Sequence, residues 1–178
     1  MLSFYFDMDG TLCEWKPVRD LSVLYQPGYF LNLKPQENVV NLLLSLLDRG
    51  YSISILSAIL GTQQEAEKRI WLGRVFGDRR PEIKTIFVPN GANKGKYVSV
   101  SPETILLDDY SLNLLKWREA GGAAIKVLNG INGAGNKWSG ARLNAMEPIS
   151  VSEVLARAAS ERIVLSKQRK LNFGIASV

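Results

Sequence analysis

The sequence predicts an α/β domain built on a parallel sheet. Short apolar runs alternate with helix-length stretches that carry one apolar face, and Gly, Pro, Asn or acidic residues punctuate the boundaries. A length of 178 residues, 46% of them hydrophobic, with a mean hydropathy of −0.02, suits one domain with a buried core. No internal repeat or low-complexity linker divides the chain, so residues 1–178 are read as a single unit.

Leu2 to Phe6 is the first strand, ending abruptly at Asp7. Cys13 to Lys34 is irregular, rich in aromatics (Trp15, Tyr25, Tyr29, Phe30) and broken by Pro17 and Pro27, and reads as a loop or small cap insert. Pro35 is expected to open a helix whose core face is Val39, Val40, Leu43, Leu44 and Leu47 and which Gly50 ends. Ser52 to Ser57 is the second strand. Thr62 and Glu65 have the spacing of a capping box, which predicts a helix over about 63–75.

Lys84 to Val88 is the third strand, followed by the turn Pro89–Ala92. Thr104 to Leu107 is a fourth, wholly apolar past its first residue, and it ends on Asp108 and Asp109. Ser111 is expected to cap a helix through Leu114, Leu115 and Trp117, stopped by Gly121 and Gly122. Ala123 to Leu128 is the fifth strand and Asn129 to Gly140 a loop. Ser150 and Glu153 form another capping-box pattern, starting a terminal helix toward Ile163.

Two absences narrow the chemistry. With no histidine, Ser-His-Asp triads, histidine acid–base catalysis and His-ligated zinc are excluded. A single cysteine, Cys13, excludes an intrachain disulfide and a four-cysteine metal site. Any catalysis must therefore draw on carboxylates, Lys, Arg, hydroxyls and a hard metal ion. Cys13 and Arg19 stand at the spacing of cysteine-dependent phosphatases, but the residues between them include no glycine to cradle a phosphate, and Glu14 would repel one.

The net charge is +5 and the pI about 9.4, with Arg157, Arg162, Lys167, Arg169 and Lys170 concentrated near the end. A solvated basic helix or tail over about 150–178 is the plainer account, and a nucleic-acid surface is possible without being favoured. No apolar run is long enough to span a bilayer, and the first residues lack a basic, signal-like start, so cytoplasmic residence is expected. Oligomeric state is not legible.

The most informative segment is Phe6-Asp7-Met8-Asp9-Gly10-Thr11-Leu12. Two carboxylates one residue apart lie just past a buried strand, where an open α/β sheet binds its ligands. Gly10 lets the chain turn there without a side chain. A calcium loop would require further oxygen ligands and a terminal Glu that Leu12, Cys13 and Trp15 do not supply.

Asp-x-Asp-Gly-Thr after an apolar strand resembles the first motif of haloacid dehalogenase-like hydrolases. Three further motifs of that superfamily have counterparts in order: Ser57 at the end of the second strand, Lys94 (with Lys96 as competitor) before the fourth, and the pair Asp108 and Asp109 after it. Taken singly, a strand-end Ser is usually a turn residue, a lone Lys a solvated amine, and an acid pair a helix-terminus feature. The order and the strand-end placement make the set informative.

The resemblance implies a Rossmann-like parallel sheet with helices on both faces and a small cap insert at 13–34. It also implies a Mg²⁺-dependent phosphomonoesterase in which Asp7 takes up the phosphoryl group as an aspartyl phosphate and Asp9 serves as acid, then base. Ser57 and Lys94 would hold phosphoryl oxygens. Asp7, the backbone carbonyl of Asp9, Asp108 and Asp109, directly or through water, would hold the metal.

Tyr25-Gln26-Pro27-Gly28-Tyr29-Phe30, Leu33-Lys34-Pro35, Leu107-Asp108-Asp109-Tyr110 with Asn113, Leu114 and Trp117, and Ile125–Asn129 further resemble 5′(3′)-deoxyribonucleotidases of bacteria and phage. That implies a small phosphorylated partner, a nucleotide. The insert is shorter than that family's helical cap, and its aromatics Trp15, Tyr29 and Phe30 either stack on a base or pack on the core. Rival readings are a phosphatase of sugar phosphates or nucleic-acid ends, and a non-catalytic phosphate-binding module.

Overall fold

The computed structural model describes residues 1–133 and 137–175, with the backbone alone for 169–175. Six parallel strands form one sheet: β1 (Ser3–Phe6), β2 (Ser52–Ile59), β3 (Lys84–Pro89), β4 (Thr104–Asp108), β5 (Ala123–Leu128) and β6 (Arg142–Asn144), in the order β3-β2-β1-β4-β5-β6. The helices are α1 (Glu37–Asp48), α2 (Thr62–Phe76), α3 (Ser111–Glu119) and α4 (Val151–Ile175).

Alternation along the strands sorts side chains into two cores. Phe4, Phe6, Ile105 and Leu107 meet α1, α2 and α4 through Leu43, Trp71, Leu72 and Val154 on one face. Leu56, Leu106 and Ala124 meet α3 through Leu114 and Trp117 on the other. The sheet is thus covered on both faces, as the resemblance implies.

Strand β6 was not expected. Arg142-Leu143-Asn144 carries one apolar residue, too little for a periodic signal, and it pairs because Leu143 enters the larger core beside β5. The loop expected at 129–140 precedes it, and residues 134–136 of that loop lie outside the described residues.

Four helix ends differ from expectation. Pro35 does not open α1; Gln36 intervenes, its N–H donating to the Leu12 carbonyl at 2.8 Å, which pins the helix entry to the loop after β1. The Thr62–Glu65 capping box does not form. Gly61 is the N-cap, Glu65 pairs with Arg69, and the Gln64 side chain accepts the Leu60 N–H.

Ser111 is the first helical residue rather than the cap of α3. The Asp108 carboxylate accepts the Tyr110 N–H at 2.8 Å, leaving Ser111 to accept from Lys126 at 2.8 Å. Ser150 does accept the Glu153 N–H at 3.1 Å, but Glu153 turns to Arg157, and α4 runs on to Ile175, well past Ile163. Gly50, with φ +79, ends α1 as expected.

The 13–34 stretch holds two short 3-10 segments, Leu21–Tyr25 and Phe30–Asn32. It is strapped to α2. Glu67 accepts the N–H groups of Gly28 (2.7 Å) and Phe30 (3.1 Å), Trp71 Nε1 donates to the Leu33 carbonyl at 2.7 Å, and Arg74 donates to that of Leu31. Phe30 is buried, and Tyr29 stacks edge-on against both Phe30 and Trp15. Packing therefore accounts for Phe30.

Candidate active site

The sheet topology alone brings the first acids together. Strand β1 pairs with β4 in the register Phe6↔Leu107, so the next residues, Asp7 and Asp108, emerge side by side, with the Asp7 N–H donating to the Leu107 carbonyl at 2.9 Å. From β1 the chain builds β2 and β3 to one side, then crosses to build β4, β5 and β6 on the other. The carboxyl ends of β1 and β4 therefore flank the topological switch point, where open α/β sheets form their ligand crevice.

Asp7, Asp108 and Asp109 each offer a carboxylate oxygen, all within 4.8 Å of one another. Asp7 and Asp108 are buried. Asn113 Nδ2 donates to Asp108 at 2.9 Å, while Asn129 Nδ2 donates to Asp109 Oδ2 at 3.1 Å and to the Gly10 carbonyl at 2.9 Å.

Lys94 closes the group from the face of the sheet that carries α3. Its ammonium donates to Asp7 Oδ1 at 2.6 Å and to Asp108 Oδ2 at 2.7 Å. It begins a single 3-10 turn (Lys94–Lys96) capped by the Asn93 side chain, which turns Lys94 inward and leaves Lys96 exposed. Of the two lysines, Lys94 is the one that reaches the acids. Burial pulls the Lys94 ammonium down, but Asp108 and Asp7 outweigh it and hold its value above normal.

The charge count tests the fit of a metal. When all three carboxylates are ionised, the one ammonium beside them leaves a net charge of −2, which one divalent cation would offset. An all-oxygen donor set matches Mg²⁺ rather than a softer ion. Burial also leaves these acids short of stabilising charge. It raises Asp108 to about 6 despite Lys94, and lifts Asp109 well above the carboxylate range, with Asp108 and Asp7 adding to the shift.

A pH prediction follows. Between the ordinary carboxylate value of 3.8 and the folded value of about 6, the metal-free folded chain binds more protons through Asp108 than the unfolded chain does. Its stability therefore falls as pH rises through that window. A divalent cation held by the three carboxylates would bind the ionised form and oppose this loss. The Mg²⁺-induced rise in Tm is expected to be small at pH 5 and to grow on moving to pH 8; equal shifts at both would count against the site.

Asp9 is placed differently from the other acids. Its carboxylate turns to Lys68, whose ammonium lies 2.5 Å from Asp9 Oδ2, 3.0 Å from Ser57 Oγ and 2.7 Å from the Ala58 carbonyl. Among the described residues the carboxylates of Asp7, Asp108 and Asp109 come together without that of Asp9, whose backbone carbonyl is left for the ligand role the resemblance implies. Burial raises Asp9, with Lys68 opposing. Ser57 is wholly buried two residues before the end of β2, which runs on past it.

Lys68 was missed from the sequence, although a signal existed. Gln64, Glu67, Lys68, Trp71 and Leu72 form one buried stripe on α2, and a lysine on such a stripe must have partners. Asn113 reaches Asp108 from five residues along the chain, in the first turn of α3, whereas the role of Asn129 arises from contacts across the fold. Cys13 is wholly buried, and burial pushes its thiol well above the usual range, so it is not a nucleophile.

Gly10 is constrained twice. Its φ is +77, and an added Cβ would overlap the Asp109 carboxylate. Gly10→Ala is expected to cost about 2 kcal/mol of stability and to diminish the Mg²⁺-induced Tm shift by displacing Asp109. A full shift in the variant would show that Asp109 is not needed for the metal.

No protein-family model and no curated protein sequence matches the chain. Solved structures do resemble it. A HAD hydrolase (family IA, variant 3) from Entamoeba histolytica aligns with a TM-score of 0.59 at 12% identity, over 89% of this chain and 100% of that one. The D,D-heptose 1,7-bisphosphate phosphatase from Burkholderia thailandensis aligns with a TM-score of 0.58 at 12% identity, over 81% of this chain and 91% of that one. At such identities the similarity speaks to architecture: the chain has the haloacid dehalogenase-like fold, a Rossmann-like core with a six-stranded parallel sheet.

Proposed function

We propose that this protein is a Mg²⁺-dependent phosphomonoesterase working through an aspartyl phosphate at Asp7. The observation that carries the reading is the uncompensated charge of Asp7, Asp108 and Asp109 at the switch point, beside a lysine with donor capacity to spare. An ammonium has three N–H groups; Lys94 uses two on Asp7 and Asp108, and the third is available to a phosphoryl oxygen.

In the first step the Asp7 carboxylate forms a bond to phosphorus as the ester P–O bond breaks, and Asp9 gives its proton to the departing oxygen. In the second, water attacks phosphorus, Asp9 takes the water's proton, and the P–O bond to Asp7 breaks. Asp7, Asp108, Asp109 and the Asp9 carbonyl would hold Mg²⁺, which would supply positive charge to offset repulsion between Asp7 and a phosphate dianion. Ser57 and Lys94 hold the phosphoryl oxygens.

A deoxyribonucleoside monophosphate is the substrate proposed. A cavity of about 80 Å³ opens beside Asp9, walled by Trp15, Leu24 and Phe30 of the insert and edged by the amides of Gln64 and Asn90. Apolar walls with amide edges suit a neutral organic leaving group, and among the described residues no Lys or Arg lines the cavity to attract a second phosphate. The residues at 13–34 act as the cap. The cavity's small size favours a second reading, a sugar monophosphate, whose leaving group it would enclose more fully than a nucleoside. Among the described residues no helix is long and apolar enough to cross a membrane.

A panel of nucleoside, sugar and nucleic-acid terminal monophosphates, assayed with Mg²⁺ and with EDTA, tests the proposal. Deoxynucleotides turned over fastest, only with Mg²⁺, is the expected result. A sugar phosphate or a nucleic-acid end leading the panel would overturn the nucleotidase assignment, and absence of any Mg²⁺-dependent turnover would overturn the phosphatase reading.

A further inference from the structure

Lys68 is a wholly buried cation standing next to the proposed chemistry, and none of the steps above uses it. Its three N–H groups have three acceptors: Asp9 Oδ2 at 2.5 Å, the Ala58 carbonyl at 2.7 Å and Ser57 Oγ at 3.0 Å. An ammonium has no fourth donor and no acceptor. Lys68 therefore has nothing left to offer a phosphoryl oxygen, which separates it from Lys94.

Each contact fixes a neighbour in a particular sense. With Oδ2 of Asp9 occupied, Oδ1 is the oxygen left to face a leaving group; the Cys13 thiol lies 3.9 Å from it but donates more closely to the Met8 carbonyl, at 3.3 Å. A hydroxyl that accepts an N–H must point its own hydrogen elsewhere, so Ser57 is poised to donate. The Ala58 carbonyl ties the ammonium to β2. The Phe30 ring lies beneath it at 5.1 Å, and the neighbouring Glu67 grips the backbone of the insert. One turn of α2 thus registers the acid, the hydroxyl and the insert against one another.

We propose that Lys68 is a positioning residue: it orients Asp9 toward the leaving oxygen and Ser57 toward the phosphoryl group, without itself binding phosphate. The inference rests on the phosphatase reading and deepens it. It assigns Lys68 to the leaving-group side of the reaction, and that side can be separated experimentally.

Lys68→Met keeps the side-chain length and removes the donors. The value of kcat/KM reports the reaction through the first phosphoryl transfer. For glycerol phosphate, whose alkoxide must be protonated as it leaves, kcat/KM should fall roughly 100-fold, the scale of general acid catalysis. For p-nitrophenyl phosphate, whose phenolate leaves unaided, it should fall less than about 10-fold. In an Asp9→Asn background, Lys68→Met should add little further loss for glycerol phosphate. Inorganic phosphate affinity, measured by calorimetry with Mg²⁺ present, should stay within about 3-fold of wild type, less than one hydrogen bond's worth.

Equal losses for both esters, an undiminished loss on top of Asp9→Asn, or phosphate affinity reduced tenfold or more would overturn the proposal. Lys68→Gln, which retains two donors, serves the same comparison if the Met variant does not fold; its losses should show the same split between esters. Failure of the phosphatase reading shows up separately, as absence of Asp7-dependent turnover in the wild-type background.

Discussion

Asp7→Asn is expected to abolish turnover, by at least about 10⁴-fold, while leaving the fold intact. The amide keeps the shape of the carboxylate and its oxygen can still accept from Lys94, so the strand end has no reason to rearrange. What disappears is the nucleophile. In the wild-type protein, denaturing an enzyme–substrate mixture in acid and reducing it with borohydride should convert an aspartyl phosphate at position 7 to homoserine, visible by mass spectrometry. Near-normal turnover in the variant, or the modification at another acid, would show that the covalent step has been misplaced.

Lys94→Met should have the largest effect on stability. Lys94 pairs with two of the three clustered carboxylates, and removing one partner of a buried ion pair typically costs about 3–5 kcal/mol. For a domain of this size that corresponds to a fall in Tm of roughly 10 °C in EDTA. The variant's cluster then has −3 to offset instead of −2, so Mg²⁺ should raise its Tm by more than it raises that of the wild type. Because the third N–H of Lys94 is assigned to phosphate, inorganic phosphate affinity should fall as well, in contrast with Lys68→Met. A variant as stable as wild type in EDTA would mean that the cluster does not depend on this ammonium.

How much of this was legible in the sequence follows from the range of each signal. Strands with several apolar residues announce themselves, and five of the six did. Strand β6 did not, since Leu143 alone carries its burial. The acids at the ends of β1 and β4 could be placed because strand-end position plus topology determines where they go. The partners of those acids could not be chosen so easily. Lys94 and Lys96 are equivalent on paper and are separated only by the 3-10 turn that buries one and exposes the other.

Capping boxes were the least dependable local signal. Thr62 and Glu65 have the spacing, yet Gly61 takes the cap and Gln64 is drawn to the Leu60 N–H at the end of β2. At α3, Asp108 displaces Ser111 as the acceptor near the helix start, since one of its oxygens is already aimed at the Tyr110 N–H while the other meets Lys94. Lys68 was hidden for a different reason. A lysine in an amphipathic helix is ordinarily solvated, and only the apolar residues one turn away on its own stripe mark it as buried. Asn129 ends a segment that carries the resemblance, but its partners could not be read from it, because its contacts with Gly10 and Asp109 cross 119 and 20 residues of chain.

Asp7, Asp108 and Asp109 are expected to share one divalent cation, and a crystal grown or soaked with Mn²⁺ would locate it. Anomalous scattering should reveal a peak between those three carboxylates, lost when Asp108 is replaced by Asn. A crystal in which Mn²⁺ binds elsewhere, with Lys94 alone neutralising the three acids, would contradict it.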